Sequence, residues 1–229
     1  YYMERSFWWL HIIGILFFLN YLYYSKHLHI LLAFPNTYYS NLEEKGKFGV
    51  LESVKNEVLL MFYPEKTEDQ SNPQVEKFGA SDVLDLNWIQ LMNAYSCTEC
   101  GRCSSECPAN ITGKKLSPRK IMMDTRDRLE EVSRNVSKNN GVFKDDGNQL
   151  LDNFISREEL WACTSCNACV DACPINIDPL SIIMKMRQYL IMEESSAHSD
   201  LNNMMNNIEN NGAPWPFNQQ DREAWIQEP

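Results

Sequence analysis

Eight cysteines hold most of the chemistry legible in this sequence. They fall in two groups of four, Cys97, Cys100, Cys103, Cys107 and Cys163, Cys166, Cys169, Cys173, with none outside them. Each group reads C-x2-C-x2-C-x3-C-P, closed by Pro108 and Pro174. Three thiolates at this spacing can wrap three iron corners of a 4Fe–4S cube while backbone N–H groups point at its sulfurs. The fourth cysteine leaves the turn, and the proline after it redirects the chain without adding a donor. Gly101 allows backbone to approach the centre closely. Structural zinc is the main rival, but its paired C-x2-C knuckles leave the third cysteine of each run surplus. A secreted disulfide scaffold would be smaller and would scatter its cysteines among loops. The spacing points to two 4Fe–4S clusters in a reducing compartment. All eight positions are thiolates, so no iron keeps an open site, and electron transfer is expected rather than substrate binding. We find no nucleophile–base constellation and no glycine-rich phosphate loop, hence no complete substrate site.

The elements that position these runs repeat. Each cysteine of the first run recurs in the second at one constant offset, Cys97 as Cys163 through Cys107 as Cys173. Each Cys-Pro is followed by Asn-Ile (Asn110-Ile111 and Asn176-Ile177), and then by a Pro-started helix carrying Ile-Met and Arg. Two copies of helix, cysteine turn, helix are expected. A helix starting at Ser81 and carrying Val83, Leu84, Leu86, Trp88, Ile89 and Leu91-Met92 delivers the first run. Ser117-Pro118 is an N-cap with proline at the first helical position, and the helix runs on through Ile121 to Val132. Residues 139–147 form a loop with two glycines. Ser156-Arg157-Glu158-Glu159 is a capping box leading into the second run, and Asp178-Pro179 caps a helix through Met192. No alternating strand pattern is evident, so the fold class is all-α. Upstream, Phe48 to Phe62 reads as an amphipathic helix with Val50, Leu51, Val54, Val58, Leu59 and Phe62 on one face, and Pro64 to Pro73 as a linker.

The N-terminal segment is different in kind. Phe7 to Phe34 is one apolar stretch before Pro35, about 42 Å long as helix and so longer than the ~30 Å hydrocarbon core. Trp8, Trp9, Tyr21, Tyr23 and Tyr24 are the aromatics expected near membrane interfaces. Within it two histidines stand in the pattern His11-x17-His29. On one continuous helix that is five whole turns, placing both on one face about 27 Å apart along the axis, a separation suited to two haems near opposite faces of a bilayer. Gly14 and Ser25 fall near the same face and leave room for porphyrin edges, whereas His27 points away. An ionisable side chain inside a span is costly, which marks His11 as functional; buried or interfacial histidines with satisfied hydrogen bonds are the plain alternative. Lys26 can neutralise a haem propionate or snorkel to the interface.

Two such runs in register, with helices between them, resemble the α-helical ferredoxin domain of succinate dehydrogenase iron–sulfur subunits and of heterodisulfide-reductase-like and glycerol-3-phosphate-dehydrogenase-like subunits. The likeness covers residues 81–195. In two-cluster ferredoxins the fourth cysteine of a run ligates the other cluster. Carried over here, that rule assigns Cys97, Cys100, Cys103 and Cys173 to one cluster and Cys163, Cys166, Cys169 and Cys107 to the other. His11-x17-His29, with Phe17-Phe18-Leu19, Ser25-Lys26 and Leu28-His29-Ile30, resembles the last membrane helix of respiratory nitrate reductase gamma subunits, although that family's proline is replaced around Tyr23. The resemblance implies that His11 and His29 are axial ligands of two b-type haems, each completed by a histidine from another helix.

Together the halves resemble membrane proteins of heterodisulfide-reductase-like complexes and of electron-transfer-flavoprotein:menaquinone oxidoreductases. The organisation expected is a transmembrane helix ending a cytochrome b-like region (1–35), a connecting helix and linker (36–80), the dicluster domain (81–195) and a C-terminal helix and tail (196–229). The resemblance implies an electron-transfer subunit of a quinone-linked oxidoreductase in the cytoplasmic membrane, its iron–sulfur domain on the cytoplasmic side. The implied partners are an electron-transfer flavoprotein, a cysteine-rich subunit or domain of the CCG type, and menaquinone. Tail residues Trp215, Phe217, Trp225 and Ile226 either dock such a partner or cover the chain's own core. A haem-free membrane-anchored ferredoxin module is the alternative, and a structural metal scaffold a third. The opening residues Tyr1-Tyr2-Met3, with no initiator methionine, suggest part of a longer protein, and no small-residue cleavage site marks a signal peptide. A net charge of −10 and no basic patch speak against nucleic acid as partner.

Overall fold

The computed structural model describes residues 1–25, 27–44, 46–47, 50–63 and 77–227. Among them regular structure is helical, with one isolated bridge between Leu151 and Ile155, as the sequence pattern requires. Helix α1 (Tyr2–Tyr21) runs on through a 3-10 turn (Leu22–Tyr24) as a 23-residue apolar element with a mean hydropathy of 1.4 and none of its most apolar window buried. That length, about 34 Å, is enough to cross a bilayer core. An element apolar all round has no face to turn to water, and lipid is the solvent that suits it.

The single helix expected from Phe7 to Phe34 is two helices. Ser25 is extended (φ −105°, ψ 164°), and its hydroxyl donates to the Leu22 carbonyl (2.9 Å) and accepts from the His27 N–H (3.2 Å) in place of ladder bonds. Helix α2 (Leu28–Tyr38) then begins, and Pro35, expected to stop the span, lies inside it. The missing proline N–H costs one ladder bond, but α2 is held by its neighbours. It packs on α4 (Trp88–Ser96), buried Asn36 donates to the Ile175 carbonyl (2.8 Å), and the Tyr39 ring stands edge-on to Trp88 at 4.8 Å. The helix that follows the candidate span therefore belongs to the globular body. Lys26 lies outside the described residues.

Helix α3 (Glu52–Phe62) starts later than the pattern suggested, and Phe48 is outside the described residues, as is the Pro64–Pro73 linker. Among the described residues its apolar face stays largely uncovered: Val58 and Leu59 are each 43 % exposed and Phe62 75 %. The helix expected from Ser81 is also divided. A 3-10 turn (Val83–Asp85) capped by Asp82 gives way to extended Leu86, and α4 begins only after its own capping box, Asn87 with Gln90. Short helices α5 (Arg102–Ser105) and α6 (Pro108–Ile111) follow the first cysteines, then the long α7 (Pro118–Lys138). A kinked turn α8 (Leu150–Asn153), α9 (Arg157–Ala162), α10 (Ala168–Asp171) and the long α11 (Pro179–Met192) repeat the plan.

The caps read from sequence are present. Ser117 accepts from Lys120 N–H, Ser156 and Glu159 form a reciprocal capping box, and Asp178 accepts from Ser181 N–H. Helices α7 and α11 pack on each other through stripes at helical spacing, Ile121, Met122 and Val132 on one and Ile182, Ile183, Met186 and Leu190 on the other. Each such side chain contributes about 1.5–3 kcal/mol on burial. Arg128 of α7 is fully buried and fans its guanidinium onto Asp82 (2.8 Å), Asp146 (2.7 Å) and the Asn148 carbonyl. At Gly79 (φ +83°) the chain crosses α11 so closely that Ala80 N–H donates to the Lys185 carbonyl at 3.0 Å. Beyond α12 (Ser199–Asn211), Trp215, Phe217, Trp225 and Ile226 are 46–73 % exposed, so they do not cover the core.

Candidate iron–sulfur site

Both cysteine turns are built the same way. Helices α4 and α9 end at Ser96 and Ala162, and the next residues, Cys97 and Cys163, swing to extended backbone (φ −70° in both, ψ 122° and 127°). Left-handed residues then alternate with the cysteines at matching positions, Glu99 (φ 59°) and Gly101 (φ 82°) in the first run, Ser165 (φ 57°) and Asn167 (φ 61°) in the second. This curl turns backbone donors toward sulfur. Glu99 N–H donates to the Cys97 thiol, and Ser165 N–H to Cys163 Sγ at 3.4 Å. Glycine at 101 supplies this conformation, and a Cβ there would make only an ordinary 3.7 Å contact with Arg119.

The fold brings the thiols into two neighbourhoods. Cys97, Cys100 and Cys103 share a cavity of about 100 Å³ with Cys173, and Cys169 also lines it. Cys163 stands near Cys166 and Cys107, and Cys169 near Cys163, Cys103 and Cys107. Each run thus meets the last cysteine of the other. None of the eight is in a disulfide. Among the described residues no three His, Cys, Asp or Glu converge on a single-ion position. A lone tetrahedral zinc needs four sulfurs about 2.3 Å from one point; thiols lining a volume instead fit a polynuclear centre.

Burial raises the thiol pKa values of Cys97, Cys103 and Cys163, and pushes Cys169 up to about 12, with Cys163, Asp178, Cys103 and Cys107 adding to it. Free of metal, these groups hold their protons at neutral pH, so loading iron must release them. Two arginines, each eight residues after the proline that starts its helix, brace the turns. Arg126 bonds Glu99 at 2.6 Å. Arg187 donates to the carbonyls of Leu160 and Cys163 and to Ser165 Oγ, and lies 5.1 Å from the Trp161 ring centre. Burial lowers the Arg187 pKa, and the charge interaction with Cys163 opposes that. The sequence showed both arginines as part of the repeat, and their equal spacing was the available signal for a shared role.

The histidines are separated. His11 sits exposed on α1, while His29, on α2, lines the cavity beside Cys97, Cys100 and Cys103. The continuous helix that a shared face requires is interrupted at Ser25.

Residues 96–177 match the family described as a 4Fe-4S dicluster domain. The chain contains a 4Fe–4S dicluster domain. Over 249 aligned residues it is 32 % identical to the probable iron–sulfur-binding oxidoreductase FadF of Bacillus subtilis, an alignment covering 96 % of this chain and 33 % of the relative. It is 26 % identical to the EtfAB:quinone oxidoreductase of Syntrophomonas wolfei (98 % of this chain, 31 % of the relative). It is 28 % identical to a probable membrane-anchored ferredoxin of Chromohalobacter salexigens (64 % and 24 %). Matches extend to heterodisulfide reductase subunits. The chain spans about a third or less of the length of these three relatives. The dicluster domain makes it an iron–sulfur electron-transfer protein related to those oxidoreductases.

Proposed function

We propose that this chain is the electron-transfer segment of a membrane-bound, quinone-linked oxidoreductase, passing electrons between a water-soluble partner and the membrane. One cluster is held by Cys97, Cys100, Cys103 and Cys173, the other by Cys163, Cys166, Cys169 and Cys107. The observation that carries the reading is the juxtaposition of two complete thiol sets with an apolar helix of bilayer length in one chain. The iron–sulfur clusters supply one-electron storage; the protein's part is to hold them, neutralise charge and exclude water. Arg126 and Arg187 set positive charge beside the cysteine turns, and N–H···S bonds at Cys97 and Cys163 favour the electron-rich state.

The finer assignment names a reduced flavoprotein, or a CCG-type cysteine-rich unit, as the soluble partner on the cytoplasmic side, and menaquinone as the membrane one. The S. wolfei relative, named as a quinone oxidoreductase acting with EtfAB, supports it. His11 and His29 join this scheme as axial ligands of two b-type haems, with partner histidines from further membrane helices; their H-x17-H spacing and the nitrate-reductase-gamma resemblance support that role. The break at Ser25 and the membrane-anchored ferredoxin relative favour a second reading, an anchored dicluster module without haem. Reduced-minus-oxidised spectra of the detergent-solubilised full-length protein, with iron and haem quantified, decide between them. About eight irons per chain in clusters with a sharp b-type band establish the haem-linked carrier. Iron without that band leaves the anchored ferredoxin, and iron near two per chain refutes the cluster assignment itself.

A further inference from the structure

Resting on the electron-transfer reading above, we propose that the two clusters are ordered: the first-run cluster (Cys97, Cys100, Cys103, Cys173) exchanges electrons with the membrane past His29, and the second-run cluster with the water-soluble partner. The argument is one of placement. Among the described residues, α2 is the element that follows the apolar span into the globular body, and its His29 and Ala33 form a wall of the first-run cavity. His29 lies only four positions after the break at Ser25, at most about 14 Å of fully extended chain. The same helix is fastened to this part of the body. Asn36 donates to the Ile175 carbonyl, two residues beyond Cys173, and Asn176 donates to Ser40 just past the helix end (3.3 Å). Tyr39 meets Trp88 of α4, the helix that delivers Cys97.

Of the second turn only Cys169 lines that cavity, and the rest has other surroundings. Its buttress is Arg187, with Trp161 of α9 beneath the guanidinium. Trp161 also borders an open groove of about 740 Å³ whose walls include Lys114, Lys115 and Arg157 but no residue of α2. Electron tunnelling falls steeply with distance, so a cluster walled by the membrane-connected helix exchanges with the membrane faster than one behind it. The overall exchange balances as two electrons and two protons. A reduced flavin gives up both, a quinone takes both and becomes quinol, and the electrons pass singly through the clusters; the reverse flow uses the same order.

The test uses the full-length protein in vesicles containing menaquinone-4, and the readout is the EPR signal of each cluster. Cys166→Ser leaves the first-run cluster and Cys100→Ser the second-run cluster. After reduction with limiting dithionite, freeze-quenched samples follow reoxidation by the membrane quinone. The ordering expects Cys166→Ser to reoxidise at the wild-type rate and Cys100→Ser at least tenfold more slowly. Equal rates, or the reverse, overturn it. A wild-type protein whose clusters the quinone leaves reduced refutes instead the quinone-linked reading. Where Cys100→Ser loses both clusters, His29→Ala carries the test with both retained. The midpoint potential of the signal that survives in Cys166→Ser must shift while the other stays fixed. A shift in the other signal, or in neither, overturns the order.

Discussion

Replacing Arg128 by methionine removes a fully buried charge that ties α7 to two distant segments. Its Nε and Nη2 reach Asp82 at 3.0 and 2.8 Å, Nη1 and Nη2 reach Asp146 at 2.7 and 3.0 Å, and Nη2 serves the Asn148 carbonyl. Asp82 uses its remaining lone pairs on Val83 and Leu150 N–H groups, so it stays in place when the arginine leaves. The variant therefore strands Asp82 and Asp146, 15 % and 23 % exposed, and also unpairs the more exposed Glu131. Breaking a buried pair by removing one partner costs about 3–5 kcal/mol. Partial exposure of both acids puts the expectation near the lower end, about 3 kcal/mol, from a total of about 5–15 for a domain. Urea titration of the cluster-loaded protein, followed by far-ultraviolet dichroism and visible absorbance together, measures it. The double variant Arg128→Met/Asp82→Asn should recover part of the loss. The bond to Arg128 holds the Asp146 carboxyl below the usual range. That contribution is complete above the unfolded pKa near 4 and fades as pH falls through the lower folded value, so Arg128→Met should flatten this acid limb. A cost below about 1 kcal/mol with an unchanged acid limb would refute the reasoning.

Three further outcomes are expected. Gly79→Ala builds a Cβ into the Lys185 carbonyl and the Tyr189 nitrogen at a left-handed position. It should destabilise the domain by about 2–4 kcal/mol, through strain and loss of the Ala80 bond; an unfolding midpoint within experimental error of wild type contradicts this. Gly101→Asn should keep its iron, because asparagine already adopts the same conformation at position 167 of the second run, whereas Gly101→Val should lose one cluster's worth; iron analysis of the purified variants decides. Cys173→Ser should drop iron from about eight to about four per chain and abolish the same EPR signal as Cys100→Ser. Loss of the signal that Cys166→Ser abolishes would show instead that each run keeps its own fourth cysteine.

What the sequence disclosed was local. Cysteine spacing, the Ser117-Pro118 start and the Ser156–Glu159 capping box each depend on residues a few positions apart, and all of them stand in the structure. The break at Ser25 was hidden because an apolar pattern does not report where a hydroxyl will take over backbone bonds. Arg128 reads as one charge in the polar run Arg126-Asp127-Arg128, and its partners lie 46 residues before it and 18 after. His29 pairs with His11 by spacing only on a helix that proves interrupted, and the cavity it lines holds thiols of the distant first cysteine turn together with Cys169 and Cys173. The apolar face of α3 was legible as a pattern, but the pattern could not tell that it would stay largely uncovered among the described residues.

The placement of Cys173 among the thiols of the first run bears on how the molecule is made. When the ribosome has released Cys97, Cys100 and Cys103, the fourth thiol of that set is still unmade, with α7, α9 and the whole second turn to be synthesised before it. On the proposed ligand sets the first-run centre cannot be finished during translation of its own half, whereas the second-run centre finds Cys107 already made. On that assignment iron delivery to the first-run site must wait for Cys173, and the half-made chain offers a three-thiol site that a scavenging metal can poison. A truncation before Cys173 thus forfeits the first-run site even where its own three-cysteine turn is intact, and the cell's assembly machinery completes that site last.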